Sequence, residues 1–289
     1  MRSSNPAMNE SAMDRIRQQA SLATAGGAAA DARFGAGLDQ RGLDLETTGG
    51  PKEAALHMTV GGTAVKSLIT LAIVVAGAGL TWGAYMKGVQ SGETAGWLFP
   101  AMIGGAIGGL IFAIATAFKP HWAPFTTPIY GLLQGLFLGG ISAMYQNSFT
   151  PESGLNGIVA QAVLLTMGTA GGMFILYAAR IIRVTDKLRA GILIATMGVL
   201  LAYVASFVMS LFGATMPYLH DSGPIGIGIS LVIVAVAAFN LLLDFDFIER
   251  GTAMRLPKWA EWYGAFGLMV TLIWLYLEML RLLAKLKNR

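Results

Sequence analysis

Apolar residues come along this chain in long unbroken blocks, not in strict alternation and not as a narrow helical stripe. After a polar leading segment, runs near twenty residues long recur at about 65–85, 98–118, 127–146, 158–178, 190–212, 225–248 and 263–284. About 20 apolar residues is the length an α-helix needs to cross a hydrocarbon core roughly 30 Å thick. A backbone facing lipid must satisfy its own polar groups, so such runs read as helices; barrel strands need only about 9–11 alternating residues. The pattern predicts an all-α integral membrane protein, a bundle of seven transmembrane helices. Short connections make successive helices antiparallel neighbours.

Residues 1–62 break this pattern. They are rich in Ser, Gly and Ala, with runs such as Ala25–Ala30 and Thr47–Pro51 that keep no sustained period. A largely disordered polar tail is expected, with a short helix over 8–22 at most. No apolar segment follows Met1, so the start does not read as a signal peptide. The chain therefore divides into a tail, 1–62, and a membrane domain, 63–289.

Charge sits in the connections. The second carries Lys119; the fourth Arg180, Arg183, Lys187 and Arg189; the sixth Arg250, Arg255 and Lys258. The first has only Lys87, and the third and fifth have no Lys or Arg. The positive-inside rule then places the even connections and the amino terminus in the cytoplasm. The net charge of +4 is read as topology, with no nucleic-acid partner. One feature conflicts. Seven crossings put the basic end, Arg281, Lys285, Lys287 and Arg289, on the other side. Either that end stays out against its charge, or a late segment re-enters.

Composition narrows the chemistry. Charged residues are 12% of the chain, where a soluble domain carries about 25%. The absence of cysteine excludes disulfides, thiolate metal sites and Cys nucleophiles. His57, His121 and His220 all lie outside the apolar runs, so Ser142 has no histidine base within the membrane. There is no HExxH zinc motif, no phosphate-binding loop and no mid-span Lys for a Schiff base. The chain is not read as an enzyme, and no cofactor or resident metal is expected. Small residues recur at four-residue spacing, Gly104 with Gly108, Gly105 with Gly109, and Gly131 with Gly135 and Gly139, which lets helices approach closely. Trp97, Trp122, Trp259 and Trp262 fall near span ends, where aromatic belts sit. Pro100, Pro120, Pro124 and Pro128 bracket the second and third spans.

The sixth run ends unlike the others. Asn240, Asp244 and Asp246 lie among Leu and Phe before Arg250. An Asp near a bilayer centre costs roughly 2.5–3.5 kcal/mol, less toward the edge. Residues four apart share a helix face, so Asn240 and Asp244 point one way. Asp246 lies about 200° round from Asp244 and is four residues from Arg250, with which it can pair.

Asn240-Leu-Leu-Leu-Asp244-Phe, the basic connection after it and Leu275-Tyr-Leu-Glu278-Met-Leu-Arg-Leu-Leu283 resemble the end of the transmembrane Bax inhibitor motif family, in its bacterial YccA-like branch. Met58-Thr-Val-Gly-Gly-Thr-Ala-Val-Lys66, Tyr130-Gly-Leu-Leu-Gln-Gly-Leu-Phe-Leu-Gly139 and Glu261-Trp-Tyr-Gly-Ala-Phe-Gly267 are similar to the same branch. The resemblance covers about residues 58–289. It implies six helices wrapped around the seventh, a bacterial plasma membrane, and a pH-sensitive calcium leak gated by one acid in the sixth helix and one in the seventh. Asp244 matches the first. Two departures stand out: Gln134 occupies a position where many relatives carry Glu, and the seventh-helix acid is displaced. Asp244 lies roughly 7 Å from the sixth connection and Glu278 roughly 23 Å, with Phe266 and Gly267 level with Asp244. A direct Asp244–Glu278 pair is therefore not expected. Glu261 is nearer in depth, and Glu278 reads as a separate candidate held by Arg281.

In this reading protonated Asp244 hydrogen-bonds and locks the helices. Deprotonated, it repels neighbouring acids or takes up Arg250 or a cation. One Asp with one Asn gives too few oxygens for a tight calcium site, which suits passage better than storage. The alternative is a regulator that transports nothing, similar to relatives that bind a membrane AAA protease, with the leading segment as its handle.

Overall fold

The computed structural model describes residues 14, 15, 17, 18 and 21, and then 56–92, 96–149, 157–213 and 221–288. The expected disordered tail lies mostly outside the described residues. The five described positions of the anticipated 8–22 helix are helical.

Seven helices follow: α1 Val60–Ser91, α2 Leu98–Phe118, α3 Ala123–Phe149, α4 Ile158–Ala178, α5 Asp186–Leu211, α6 Pro224–Ala253 and α7 Ala260–Lys287. Apart from an isolated bridge between His57 and Pro257, the described residues form no β-structure. Six of these helices are long and apolar enough to cross a membrane. The exception is α3, whose Gly131, Gly135, Gly139, Gly140 and Gln134 dilute its apolar character. Its neighbours are protein on several sides, because it packs against α1, α2 and α7.

The spans fall where the apolar runs place them, but several ends move. α1 begins at Val60, inside the segment read as tail, because the Thr59 hydroxyl caps it by accepting from Gly62 N at 2.9 Å. α3 begins at Ala123, after a 3-10 turn at Pro120–Trp122, and so takes Pro128 inside the helix. α6 runs on to Ala253. Asp244 is therefore nine residues from its end, roughly 14 Å, about twice the expected depth.

Glycines make the tightest contact in the bundle, between α1 and α3. A side chain at Gly131 would meet Thr70, one at Gly135 the carbonyl of Val74, and one at Gly139 the carbonyl of Ala78. From the other side, Gly77 faces Leu132 O. Gly105 of α2 faces Leu133 O of α3 at 2.5 Å from an added Cβ, and Gly109 faces Gln134. Lipid tails are as apolar as leucine, so association here rests on close packing. The expected stripes are confirmed with one difference: Gly104 faces open space.

α7 is the axis. It packs against α1, α3, α4 and α6, and about half of its length is buried. Tyr263, Phe266, Met269 and Ile273 join α1, α3 and the end of α6 in one apolar cluster. Leu275, Met279, Leu280 and Leu282 join α4 and α6 in a second. α2 sits one layer out, on α3 and α1.

Two contacts set the register of α6 against α7. Gly264 lies against Ile248 at one end, and Lys285 Nζ donates to Gly226 O (3.0 Å) and Ser230 Oγ (2.9 Å) at the other. α7 thus runs antiparallel to α6 as one unbroken helix. The conflict over the basic end is eased internally. Arg281 is paired within the bundle and Lys285 is buried among oxygen acceptors, while Arg289 lies outside the described residues.

Gly139→Ala is expected to overpack the α1–α3 contact and cost about 1–3 kcal/mol. It should show as a lowered melting temperature in detergent, while Gly104→Ala leaves melting unchanged.

Candidate functional site

Polar side chains gather at three levels along α7. At the first level stands Glu261, in the opening turn of α7 and 0% exposed. Its Oε1 accepts from Thr59 N (2.9 Å) and Thr59 Oγ1 (2.8 Å) and pairs with Lys258 Nζ at 2.7 Å. Its Oε2 pairs with Lys66 Nζ from the second turn of α1. Gly62 must lack a side chain because a Cβ there would overlap this carboxylate. Met58 lies against Gly251 and Gly264 beneath it, and Met58 N donates to Leu256 O at 2.6 Å. The stretch Met58–Lys66 and the stretch Glu261–Gly267, far apart in sequence, are two halves of one joint.

The second level is on α6. Asp244 is 1% exposed and Asn240 4% exposed, on the shared face their spacing predicts. The Asn240 amide donates to Thr196 Oγ1 of α5 and to Val236 O, both at 2.8 Å. Asp246 points elsewhere and is buried as an ion pair. Its carboxylate takes Arg250 Nε at 2.9–3.0 Å and Arg189 of α5.

The third level is Glu278, 2% exposed. Its Oε1 accepts from Tyr203 Oη of α5 (2.6 Å) and Trp274 Nε1 (3.3 Å), and both oxygens take Arg281 Nη1 at 3.0 Å. Arg281 also donates to the Tyr203 hydroxyl and lies over its ring at 5.0 Å.

These levels do not merge. From the register above, Asp244 is level with about Leu268, roughly 10 Å along the axis from Glu261 and roughly 15 Å from Glu278. Glu261 is committed to Lys66, Lys258 and Thr59, and Asp246 to Arg189 and Arg250. Each carries its own counter-charge, so neither presents a bare negative charge to Asp244. Gln134 lies away from all three levels, against Gly109 of α2. Ser142 shares a 2.6 Å hydrogen bond with Tyr276. Among the described residues no three acids or histidines converge.

Several participants were not singled out from the sequence: Thr59, Lys66, Arg189, Thr196, Tyr203 and Lys285. From the sequence, Lys285 reads only as part of the basic end, and Lys66 only as part of the Met58–Lys66 stretch. A signal was present for Arg189, which starts the fifth run with no acid four residues away on its own helix.

Glu261→Gln removes the counter-charge of Lys66, whose side chain is only 18% exposed. The loss is expected to be about 3–5 kcal/mol, the cost of breaking a buried pair. Thermal melting in detergent should fall in the single variant and recover in large part in Glu261→Gln/Lys66→Met.

The Bax inhibitor 1 like family model matches residues 5–288, nearly the whole chain. No curated protein and no solved structure matches it. The match spans all seven helices and both halves of the Glu261 joint. This multi-pass membrane protein belongs to the Bax inhibitor 1 like family.

Proposed function

We propose that the protein is a cation leak, with calcium among the ions passed, and that the protonation of Asp244 governs passage. The observation that carries this reading is the placement of Asp244: a carboxyl group 1% exposed, well inside a membrane-crossing helix, on one face with the polar Asn240. Ionisable groups at such a depth are costly and mark ion or proton paths. A protonated Asp244 is neutral and holds the helices by hydrogen bonding. As pH rises, the deprotonated form needs water or a cation beside it, so helices must part or an ion must enter. Flux therefore rises with pH. The chain would sit in a bacterial plasma membrane. The basic connections favour a cytoplasmic Glu261 end, with passage running along α6 and α7.

The alternative is a regulator that binds a partner, such as a membrane AAA protease, through its leading segment. Within that segment, Arg17 donates to Met254 Sδ at the end of α6. Deleting residues 1–55 separates the two readings: a leak keeps its flux, whereas a regulator loses partner capture.

In proteoliposomes, calcium flux of the full chain is expected to rise with pH, and Asp244→Asn to give low flux at every pH. An Asp244→Asn protein that keeps the wild-type pH profile would sink the reading.

A further inference from the structure

We infer that the water-accessible route follows the seam where α5 meets α6 and α7, and that α5 is the movable wall of this route. The inference rests on the cation-leak reading and supplies its path.

α5 is held unlike any other helix. It is the least buried of the six apolar spans, and Ile192 and Ser206 are its only buried residues. Its attachments are polar: Arg189 to Asp246, Thr196 to Asn240 and Tyr203 to Glu278 and Arg281. Positions 189, 196 and 203 are seven apart, close to two helical turns, so they form one stripe that drifts only about 20° per step. α5 thus turns a polar line inward and large apolar residues outward, Ile194 and Leu201 among them. A helix packed for stability alone in lipid would turn small residues toward its neighbours, as α3 does.

The seam also has the right chemistry. It links α6 and α7 and lines up Asp246, Asn240 and Glu278 with hydroxyls from Thr196 and Tyr203, while Asp244 shares the Asn240 face. No α5 residue lines either of the two described cavities. One, of about 380 Å³, is lined by Val74, Trp82, Leu138 and Val163; the other, of about 580 Å³, by Leu68, Phe174, Tyr177, Phe245 and Glu249. Both lie between α1 and α4, and Asp244 lines neither. Polar contacts exchange readily for water, so α5 can separate from α6 at small cost once water enters. The glycine-locked α1–α3 contact has no such substitute.

The chain has no cysteine, so single thiols can be introduced without background. Ile192→Cys and Ser206→Cys place a thiol on the seam; Leu201→Cys, 60% exposed on the apolar side, places one toward lipid. Each full-length variant is reconstituted and treated with a small charged methanethiosulfonate while calcium flux is followed. The seam thiols are expected to react at least about tenfold faster than Leu201→Cys, because only a hydrated thiol ionises, and their modification should abolish flux. Seam thiols that stay unreacted while flux runs overturn the inference. So does modification that leaves flux intact, or equal reaction at all three positions. If seam thiols react in protein that passes no calcium, the leak reading falls and the hydrated seam stands. If Asp244→Asn keeps its pH-dependent flux and the seam thiols still block it, the route stands and its gate lies elsewhere.

Discussion

The carboxylate of Glu261 is the tie on which the arrangement of this bundle depends. It has no contact with water, yet it satisfies the cap of α1, a lysine from α1 and a lysine from the turn before α7. A buried charge is tolerated only when it is paired and hydrogen-bonded. That requirement dictates several sequence choices at once. Position 59 must carry a hydroxyl, position 62 must be glycine, and a long cation must stand at position 66. The first and last helices are thereby joined at one end of the molecule. This sets where α7 enters and so where every residue along it falls.

Once α7 is placed, the remaining helices attach in two distinct ways. α1, α2 and α3 meet through glycine, with backbone close to backbone. Such contacts are rigid, since any added atom meets a carbonyl. α5 instead hangs on hydrogen bonds and ion pairs from a helix that otherwise faces lipid. The two modes differ in what can replace them. Water competes with a polar contact but cannot restore lost packing.

Charge is distributed along the same division. Glu261, Asp246 and Glu278 are each matched with basic side chains, and in two of the three the match includes a cation within four residues on the same helix. The bundle therefore holds its buried acids mostly as neutral pairs, which keeps their cost in the membrane low. Asp244 shares its face with the amide of Asn240.

What the sequence determined by itself was one-dimensional. An apolar run must reach a set length to cross lipid, so the number and position of the spans could be counted. Helix periodicity is fixed, so the shared face of Asn240 and Asp244, the Asp246–Arg250 and Glu278–Arg281 pairs and the glycine stripes were legible as well. Helix ends were less so, because Val60–Val65 and Phe245–Ala253 mix polar and apolar residues, and a cap such as Thr59 acts only once its partner is in place. Tertiary structure decided which charges meet across long stretches of chain. Lys66 finds Glu261, Arg189 finds Asp246, and Tyr203 finds Glu278 over separations of 195, 57 and 75 residues. The reason is physical. A bilayer constrains each helix along its own axis, but leaves its rotation and its neighbours to side-chain packing and to the pairing of buried polar groups, and those are properties of the assembled bundle.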